Sequence, residues 1–159
     1  MYLYFKIIID FLVSLIGIIF LIPFLFIIYL AIIIETPGSP FFFHRRVGKN
    51  LKEFHIVKFR TMYENSDKKK YWTEENDLRV TNVGKFLRKY SIDELPQLFN
   101  VLKQELSIIG PRPDTPMQKK NYNNNEWAQR HKILPGITGL SQTSGRSKLS
   151  NDKRKELDI

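Results

Sequence analysis

Two adjacent carboxylates, Asp93 and Glu94, are the side chains of this sequence best suited to chemistry on a phosphate group. Arg88 and Lys89 stand just before them, and Arg112 follows on a turn braced by two prolines. Phosphoryl transfer needs cations that neutralise phosphate oxygens, a positioned nucleophile or base, and usually magnesium between carboxylate and phosphate oxygens. A carboxylate can also be the nucleophile and form an acyl phosphate. The pattern therefore predicts a phosphate site around the acid pair.

A structural explanation of the acid pair competes with the catalytic one. The spacing Ser91-x-x-Glu94 fits a capping box, and acids favour the first turn of a helix in general. Pro96 weakens this explanation, because a helix that starts at Ile92 would lose the bond from residue 96 to the Ile92 carbonyl. The helix is then expected to start nearer Glu94, and both interpretations of the pair stay open.

Short predicted elements must position these side chains. Residues 54–62 are rich in β-branched and aromatic residues, and they predict a strand that carries Lys58 and Arg60 on one face. Apolar residues at helical spacing predict two short amphipathic helices, at residues 83–90 and 95–102. The acid pair then lies where the first helix gives way to the second.

The N-terminal part of the chain is a separate apolar segment. From Phe11 to Ile34 run 24 residues without a charge, enough at about 1.5 Å per residue to cross a hydrocarbon core of about 30 Å. Pro23 predicts a kink, because proline removes a helical hydrogen bond and clashes with the preceding turn. A kinked spanning helix and a re-entrant hairpin fit equally well. We therefore expect a membrane helix at residues 1–35 and, from the basic residues that follow it, a cytoplasmic domain at residues 36–159.

Charge and composition narrow the classes of partner. The 159 residues carry a net charge of +9, and nearly all charged residues follow Glu35. This excess suits an anionic membrane, a nucleic acid or a phosphorylated substrate. The sequence contains no cysteine and three scattered histidines, so a thiolate zinc site is excluded and a histidine metal site is not expected. Inside the apolar segment, Lys6 and Asp10 are four residues apart and are expected to pair on one helical face.

Four motifs, in order along the chain, resemble the bacterial sugar transferases known as monotopic phosphoglycosyl transferases. They are Lys58-Phe59-Arg60-Thr61-Met62, Ser91-x-Asp93-Glu94-Leu95-x-Gln97-Leu98-x-Asn100-Val101-Leu102, Gly110-Pro111-Arg112-Pro113 and Pro135-Gly136-Ile137-Thr138-Gly139. The resemblance covers almost the whole chain and is closest to small members that have only the catalytic domain. We expect an α+β fold that is mainly helical, with a re-entrant or spanning membrane helix, broken near Pro23, before a small catalytic domain with short strands.

The resemblance implies the transfer of a sugar 1-phosphate from a nucleotide diphosphate sugar, linked to UDP, onto a polyprenyl phosphate. This reaction starts the assembly of a cell-surface glycan at the bacterial inner membrane, with the catalytic domain facing the cytoplasm. Asp93 would form a covalent phospho-sugar, Glu94 would support metal binding, and Mg²⁺ held by both acids is the implied cofactor. The implied substrate contacts are Lys58, Arg60, Arg88, Arg112 and Arg146. A homo-oligomer stays open.

Three features depart from the family pattern. Ile22-Pro23 stands where Ser-Pro is usual, residues 140–146 differ from the usual Trp-Ala-Gln-Val-Asn-Gly-Arg, and the chain ends at Ile159 where the family continues. The last feature favours an alternative, a truncated and noncatalytic membrane module that binds carrier lipid or a partner enzyme. A membrane-tethered nucleic-acid binder is a third hypothesis, but it lacks any nucleic-acid motif, so no nucleic-acid partner is expected. Motif spacing does not identify the sugar.

Overall fold

The fold is that of a computed structural model, which describes residues 2–64, 77–145 and 150–158. Arg146 lies outside the described residues. In chain order the helices and strands are α1 Tyr2–Glu35, β1 Phe41–Val47, β2 Glu53–Phe59, α2 Asn82–Lys89, α3 Leu98–Leu102, β3 Ser107–Ile109, α4 Asn124–Arg130, β4 Gly136–Thr138, α5 Leu140–Thr143 and α6 Asn151–Asp158. Short 3₁₀ helices occupy Lys49–Leu51, Ile92–Gln97 and Pro116–Asn121. The predicted α+β fold, mainly helical with short strands, is confirmed.

Helix α1 is one continuous helix of 34 residues, about 51 Å long at 1.5 Å per residue. It runs through Pro23 without ending, so the expected break into two helices is wrong. Proline removes only the hydrogen bond to the Ile19 carbonyl, and the apolar residues on both sides continue the helix. Only 17% of its apolar window is buried within the protein. By length and composition, α1 could cross a membrane.

The C-terminal half of α1 packs on the domain that follows. Ile28 and Ile32 form a buried cluster with Phe59 of β2 and Leu87 of α2. The carboxylate of Glu35 then accepts hydrogen bonds from the first backbone N–H groups of α2, at 2.7 Å and 3.0 Å. A carboxylate at a helix N-terminus satisfies donors that have no partner inside the helix. This end of α1 is therefore attached to α2 by both apolar and polar contacts.

The N-terminal half of α1 contacts the same domain through a polar cluster. Lys6 Nζ lies 2.8 Å from Asp10 Oδ2, which confirms the predicted pair. Ser107 Oγ at the start of β3 donates to the same Asp10 oxygen at 2.7 Å and also contacts Lys6. Asp10 and Ser107 are both buried. Both halves of the apolar helix are therefore joined to the domain that carries the acid pair.

Strand β2 is held along both edges. It pairs antiparallel with β1 from Phe41 opposite Phe59 to Val47 opposite Glu53. On its other edge the buried Asn100 side chain accepts from the Val57 N–H at 3.0 Å and donates to the His55 carbonyl at 2.8 Å. Asn100 thus supplies the hydrogen bonds that a neighbouring strand would otherwise make. The predicted strand at residues 54–62 is confirmed, although it ends at Phe59.

A parallel pair of strands, β3 and β4, brings two of the motifs together. The Gly136 N–H donates to the Pro111 carbonyl at 2.8 Å, and the Gly110 N–H donates to the Thr138 carbonyl at 2.9 Å. A Cβ on Gly136 would lie 2.1 Å from the Gly110 nitrogen, so only glycine permits this approach. The turn that carries Arg112 is therefore fixed against the loop that begins at Pro135.

Candidate functional site

The acid pair lies in the 3₁₀ helix Ile92–Gln97, and the capping-box explanation is wrong. Ser91 adopts a left-handed conformation (φ 57°, ψ 23°), and its side chain makes no cap bond to this helix. The helical turn begins at Ile92 and not nearer Glu94. Pro96 has no N–H for an α-helical bond, so the chain forms 3₁₀ turns first, and α3 begins only at Leu98.

Strand β2 and the turn after β3 bring two predicted cations to the acids. Lys58 Nζ lies 2.6 Å from Glu94 Oε1 and 3.9 Å from Asp93 Oδ2. Arg112 Nη2 lies 3.4 Å from the same Glu94 oxygen. The side chains of Lys58, Asp93 and Glu94 are each less than 20% exposed, whereas that of Arg112 is 43% exposed. The acids are therefore partly withdrawn from solvent, and Arg112 is exposed to solvent beside them.

The two acids have opposite pKa shifts. Burial raises the pKa of Asp93, and the Glu94 charge adds to this, while the positive charges of Lys58 and Arg88 oppose it. Burial also acts to raise the pKa of Glu94, but Lys58 and Arg112 outweigh it and lower that pKa. Neighbouring acids with divided pKa values are typical of sites in which each has its own role. Lys58 and Arg112 therefore favour the ionised form of Glu94, and Asp93 is the more basic carboxylate.

Helix α2 places Arg88 at the same site. Its Nε donates to Thr61 Oγ1 at 2.8 Å, and its charge acts on Asp93. The close approach depends on Gly84, because a Cβ at this position would lie 2.2 Å from the Thr61 carbonyl oxygen. Arg88 is therefore the third predicted cation that the fold brings to the acid pair.

Arg60 has different surroundings from Lys58, although the two residues were expected to face the same way. Its buried guanidinium donates to the Pro37 carbonyl at 2.6 Å, and to the Thr36 carbonyl and hydroxyl at 2.8 Å and 2.9 Å. Strand β2 ends at Phe59, and the Arg60 N–H donates to the Pro40 carbonyl at 2.8 Å. The contacts of Arg60 attach the turn after α1 to β2, so the structure gives it a supporting role, and its substrate contact stays a prediction.

Arg46 of β1 lies beside the site and was not singled out as a site residue. Its Nη1 donates to the Pro113 carbonyl at 3.0 Å, and its Nη2 donates to His44 Nδ1 at 3.1 Å. Burial and the charges of Arg46 and Lys58 lower the pKa of His44 to about 4. The imidazole is therefore neutral near pH 7 and accepts from Arg46 at Nδ1. Residues two apart in a strand lie on the same face. The one sequence signal for Arg46 was therefore its position two residues after His44.

Arg130 supports the turn that carries Arg112. Its Nη2 donates to the Arg112 carbonyl at 2.9 Å, and its Nε forms a buried ion pair with Asp114. An arginine at the end of a helix is usually solvated. No local feature of the sequence therefore indicated this role.

The acid pair fits a magnesium ion only together with a phosphate ligand. Among the described residues, no group of three or more histidine, cysteine, aspartate or glutamate side chains forms a metal site. Mg²⁺ in phosphate-transfer sites is commonly held by one or two carboxylates, water and the phosphates of the substrate. Asp93 and Glu94 can supply such a partial set of oxygen ligands.

Comparisons with known proteins place the chain in a family. The sequence profile described as bacterial sugar transferase matches residues 1–159. The uncharacterized sugar transferase EpsL of Bacillus subtilis is 46% identical over 123 residues, which are 77% of this chain and 60% of EpsL. A second Bacillus subtilis protein, provisionally named an undecaprenyl-phosphate N-acetylgalactosaminyl 1-phosphate transferase, is 38% identical over 99% of this chain and 84% of its own length.

A third relative is a longer protein. The UDP-glucose:undecaprenyl-phosphate glucose-1-phosphate transferase of Xanthomonas campestris is 39% identical over 140 residues, which are 86% of this chain and 29% of that enzyme. The chain thus spans less than a third of this relative and about three fifths of EpsL. Since the profile matches every residue and the acid pair is the centre of the described site, the chain belongs to the bacterial sugar transferase family.

Proposed function

We propose that the chain transfers a sugar 1-phosphate from a UDP-sugar to undecaprenyl phosphate at the cytoplasmic face of a bacterial inner membrane. The observation that carries the proposal is the partly buried acid pair, in which Lys58 and Arg112 form ion pairs with Glu94 while Asp93 has a raised pKa. The names of relatives support the two substrates, because those proteins are named for undecaprenyl phosphate and UDP-linked sugars. The product would start a cell-surface glycan.

In the first step, a carboxylate oxygen of Asp93 attacks the phosphorus that bears the sugar. A bond forms between this oxygen and phosphorus, and the bond from phosphorus to the bridging oxygen of the diphosphate breaks. The nucleoside monophosphate leaves with the bonding electron pair, and the sugar phosphate stays on Asp93 as an acyl phosphate. The raised pKa of Asp93 suits this role, since a more basic carboxylate is the better nucleophile once it is ionised.

In the second step, a phosphate oxygen of undecaprenyl phosphate attacks the same phosphorus. The bond to Asp93 breaks and the free carboxylate returns, so the site is ready for another donor. Lys58, Arg88 and Arg112 offset the negative charge of the phosphates in both steps. Asp93 and Glu94 would hold Mg²⁺ together with donor phosphate oxygens, and the bound ion would neutralise part of the phosphate charge.

Turnover tests the overall reaction. The purified chain in detergent micelles, with Mg²⁺, undecaprenyl phosphate and a panel of UDP-sugars, is expected to release UMP. Asp93→Asn is expected to abolish the release, because an amide cannot form the acyl phosphate. The matched control is Glu156→Gln, an exposed carboxylate on α6, which should leave turnover unchanged. Full activity of Asp93→Asn would exclude Asp93 as the nucleophile.

The covalent step has its own test. Without undecaprenyl phosphate, a donor labelled in the sugar is expected to label the protein and to release about one UMP per chain. Hydroxylamine should remove the label, and Asp93→Asn should take up none. Direct transfer from donor to acceptor would give neither label nor burst. Lipid binding without any UMP release would instead favour the noncatalytic membrane module.

We infer further that both ends of α1 stay on the cytoplasmic side. A helix that spans the bilayer places its ends about 30 Å or more apart across the membrane, whereas here Lys6 contacts Ser107 of the globular domain and Glu35 contacts α2. The many exposed apolar side chains of α1 need a lipid environment on the face away from this domain.

Cysteine labelling tests this arrangement, since the chain has no cysteine of its own. Tyr4→Cys, at an exposed position, should be protected from a membrane-impermeant thiol reagent in intact cells and labelled after the membrane is opened. Lys120→Cys, exposed on the globular domain, is the matched control and should behave in the same way. Labelling of Tyr4→Cys alone in intact cells would show that the helix spans.

A further inference from the structure

Thr61 is a buried residue beside the site, and the chemistry proposed above gives it no role. It follows the end of β2 by two positions and is only 6% exposed. Its hydroxyl accepts the Arg88 Nε–H at 2.8 Å, and its carbonyl accepts the Thr81 N–H at 3.1 Å. Thr81 caps the start of α2, and Arg88 belongs to its last turn. One residue thus contacts α2 at both of its ends.

These contacts lie along one face of α2. Thr81, Gly84 and Arg88 are separated by three and four residues, and residues with this spacing share a face of a helix. Gly84 brings this face against the Thr61 backbone, because a Cβ there would lie 2.2 Å from the Thr61 carbonyl oxygen. Backbone contact therefore sets the distance between α2 and Thr61, and the hydroxyl is in place to receive the Arg88 side chain.

The Thr61 hydroxyl restricts the Arg88 guanidinium in a particular way. The guanidinium is planar, and Nε is the nitrogen nearest to its stem. A hydrogen bond at Nε fixes the rotation of this plane, and with it the direction of Nη1 and Nη2. Fixed pairs of guanidinium N–H groups are the usual ligands of phosphate oxygens. Because the charge of Arg88 acts on Asp93, the fixed group lies close to the carboxylate at which the phosphate would react.

We infer that Thr61 is a positioning residue whose hydroxyl orients Arg88 for the diphosphate of the donor beside Asp93. The inference rests on the proposed function. A side chain that is held before its ligand arrives loses less conformational freedom on binding, so the ligand binds more tightly. Without the hydroxyl, the ligand itself would have to order the long Arg88 side chain.

Equilibrium binding of UDP-N-acetylglucosamine to the full chain in detergent tests the inference, and UMP release is measured alongside. Thr61→Val keeps the shape of the side chain and the backbone bond to Thr81, and it removes only the hydroxyl. It should weaken binding about 10-fold, as expected for a lost hydrogen bond to a charged group. Thr61→Ser is the matched control, because it keeps the hydroxyl, and it should bind nearly as tightly as the unaltered chain.

A double-variant comparison separates positioning from a general effect on the fold. In an Arg88→Met background, Thr61→Val should weaken binding no further, because the hydroxyl acts only through Arg88. A general loosening of the fold would weaken binding in both backgrounds. The comparison therefore stays decisive even if thermal unfolding shows that Thr61→Val is less stable.

Three results would overturn the inference. They are unchanged binding by Thr61→Val, a loss in Thr61→Ser as large as that in Thr61→Val, and the full Thr61→Val loss in the Arg88→Met background. Binding with the expected variant effects but without any UMP release would count against the proposed function alone, since the role of Thr61 is measured by binding. If the unaltered chain does not bind the nucleotide sugar, both the inference and the proposed function are wrong.

Discussion

Lys58 is expected to control the ionisation of Asp93, and Lys58→Met tests this. The Lys58 ammonium lies 3.9 Å from Asp93 Oδ2, and both side chains are largely buried. The positive charge favours the ionised carboxylate and opposes the effect of burial. Because methionine has similar length and no charge, the variant removes this opposition, and the pKa of Asp93 should rise further.

The size of the change follows from Coulomb's law. Two unit charges 3.9 Å apart interact by about 4 kcal/mol at an effective dielectric constant of about 20. At about 1.4 kcal/mol per pH unit, this corresponds to about 3 units as an upper bound. Aspartates beside a cation usually show shifts of about 1–3 units. We therefore expect the pKa of Asp93 to rise by about 1–3 units.

The assay is UMP release as a function of pH. In the proposed mechanism a protonated Asp93 cannot attack, so activity should be lost as the pH falls through its pKa. Lys58→Met should move this acidic limb of kcat/KM to higher pH by about 1–3 units. Lys58→Arg keeps the charge and should leave the limb near its original position. A uniform loss of activity in Lys58→Met with the limb unmoved would refute the reasoning, because Lys58 would then act on the substrate phosphates alone.

Three further predictions concern the residues that support the site. Asn100→Ala should lower the free energy of unfolding by about 2–4 kcal/mol, because it leaves buried polar groups of β2 without partners; a loss below about 1 kcal/mol in denaturant unfolding would contradict this. Arg130→Lys removes the bond to the Arg112 carbonyl but keeps the charge, so KM for the donor should rise about 3- to 10-fold with little change in kcat. An unchanged KM would exclude this positioning role. Ser107→Ala removes the hydroxyl that binds Asp10 and should speed hydrogen exchange in the first three turns of α1 but not in its last three; equal exchange in wild type and variant would contradict this role of Ser107.

The residue pattern predicted much of the site. β-Branched and aromatic composition located the strand that became β2, and apolar spacing located the helix that became α2, since both signals are local along the chain. The residue pattern placed Arg88 and Arg112 near the acid pair, and the family resemblance added Lys58. In the structure, all three charges lie near the acids, while their contacts with substrate stay predictions.

Long-range contacts explain the predictions that were wrong. Ser91 has the right spacing for a cap, but the packing of the 3₁₀ helix places it in a left-handed conformation that the spacing cannot reveal. The expected break at Pro23 is absent, because one lost hydrogen bond does not end so long an apolar helix.

The sequence by itself determined the chemical groups of this protein and the apolar character of its N-terminal segment. An uncharged apolar run, an acid pair and a set of basic residues are properties of residue type and order, and they are visible without any fold. Only the tertiary structure decided which groups face the acids. Lys58 reaches Glu94 across 36 positions of the chain, whereas Arg60, two residues later, turns to the end of α1.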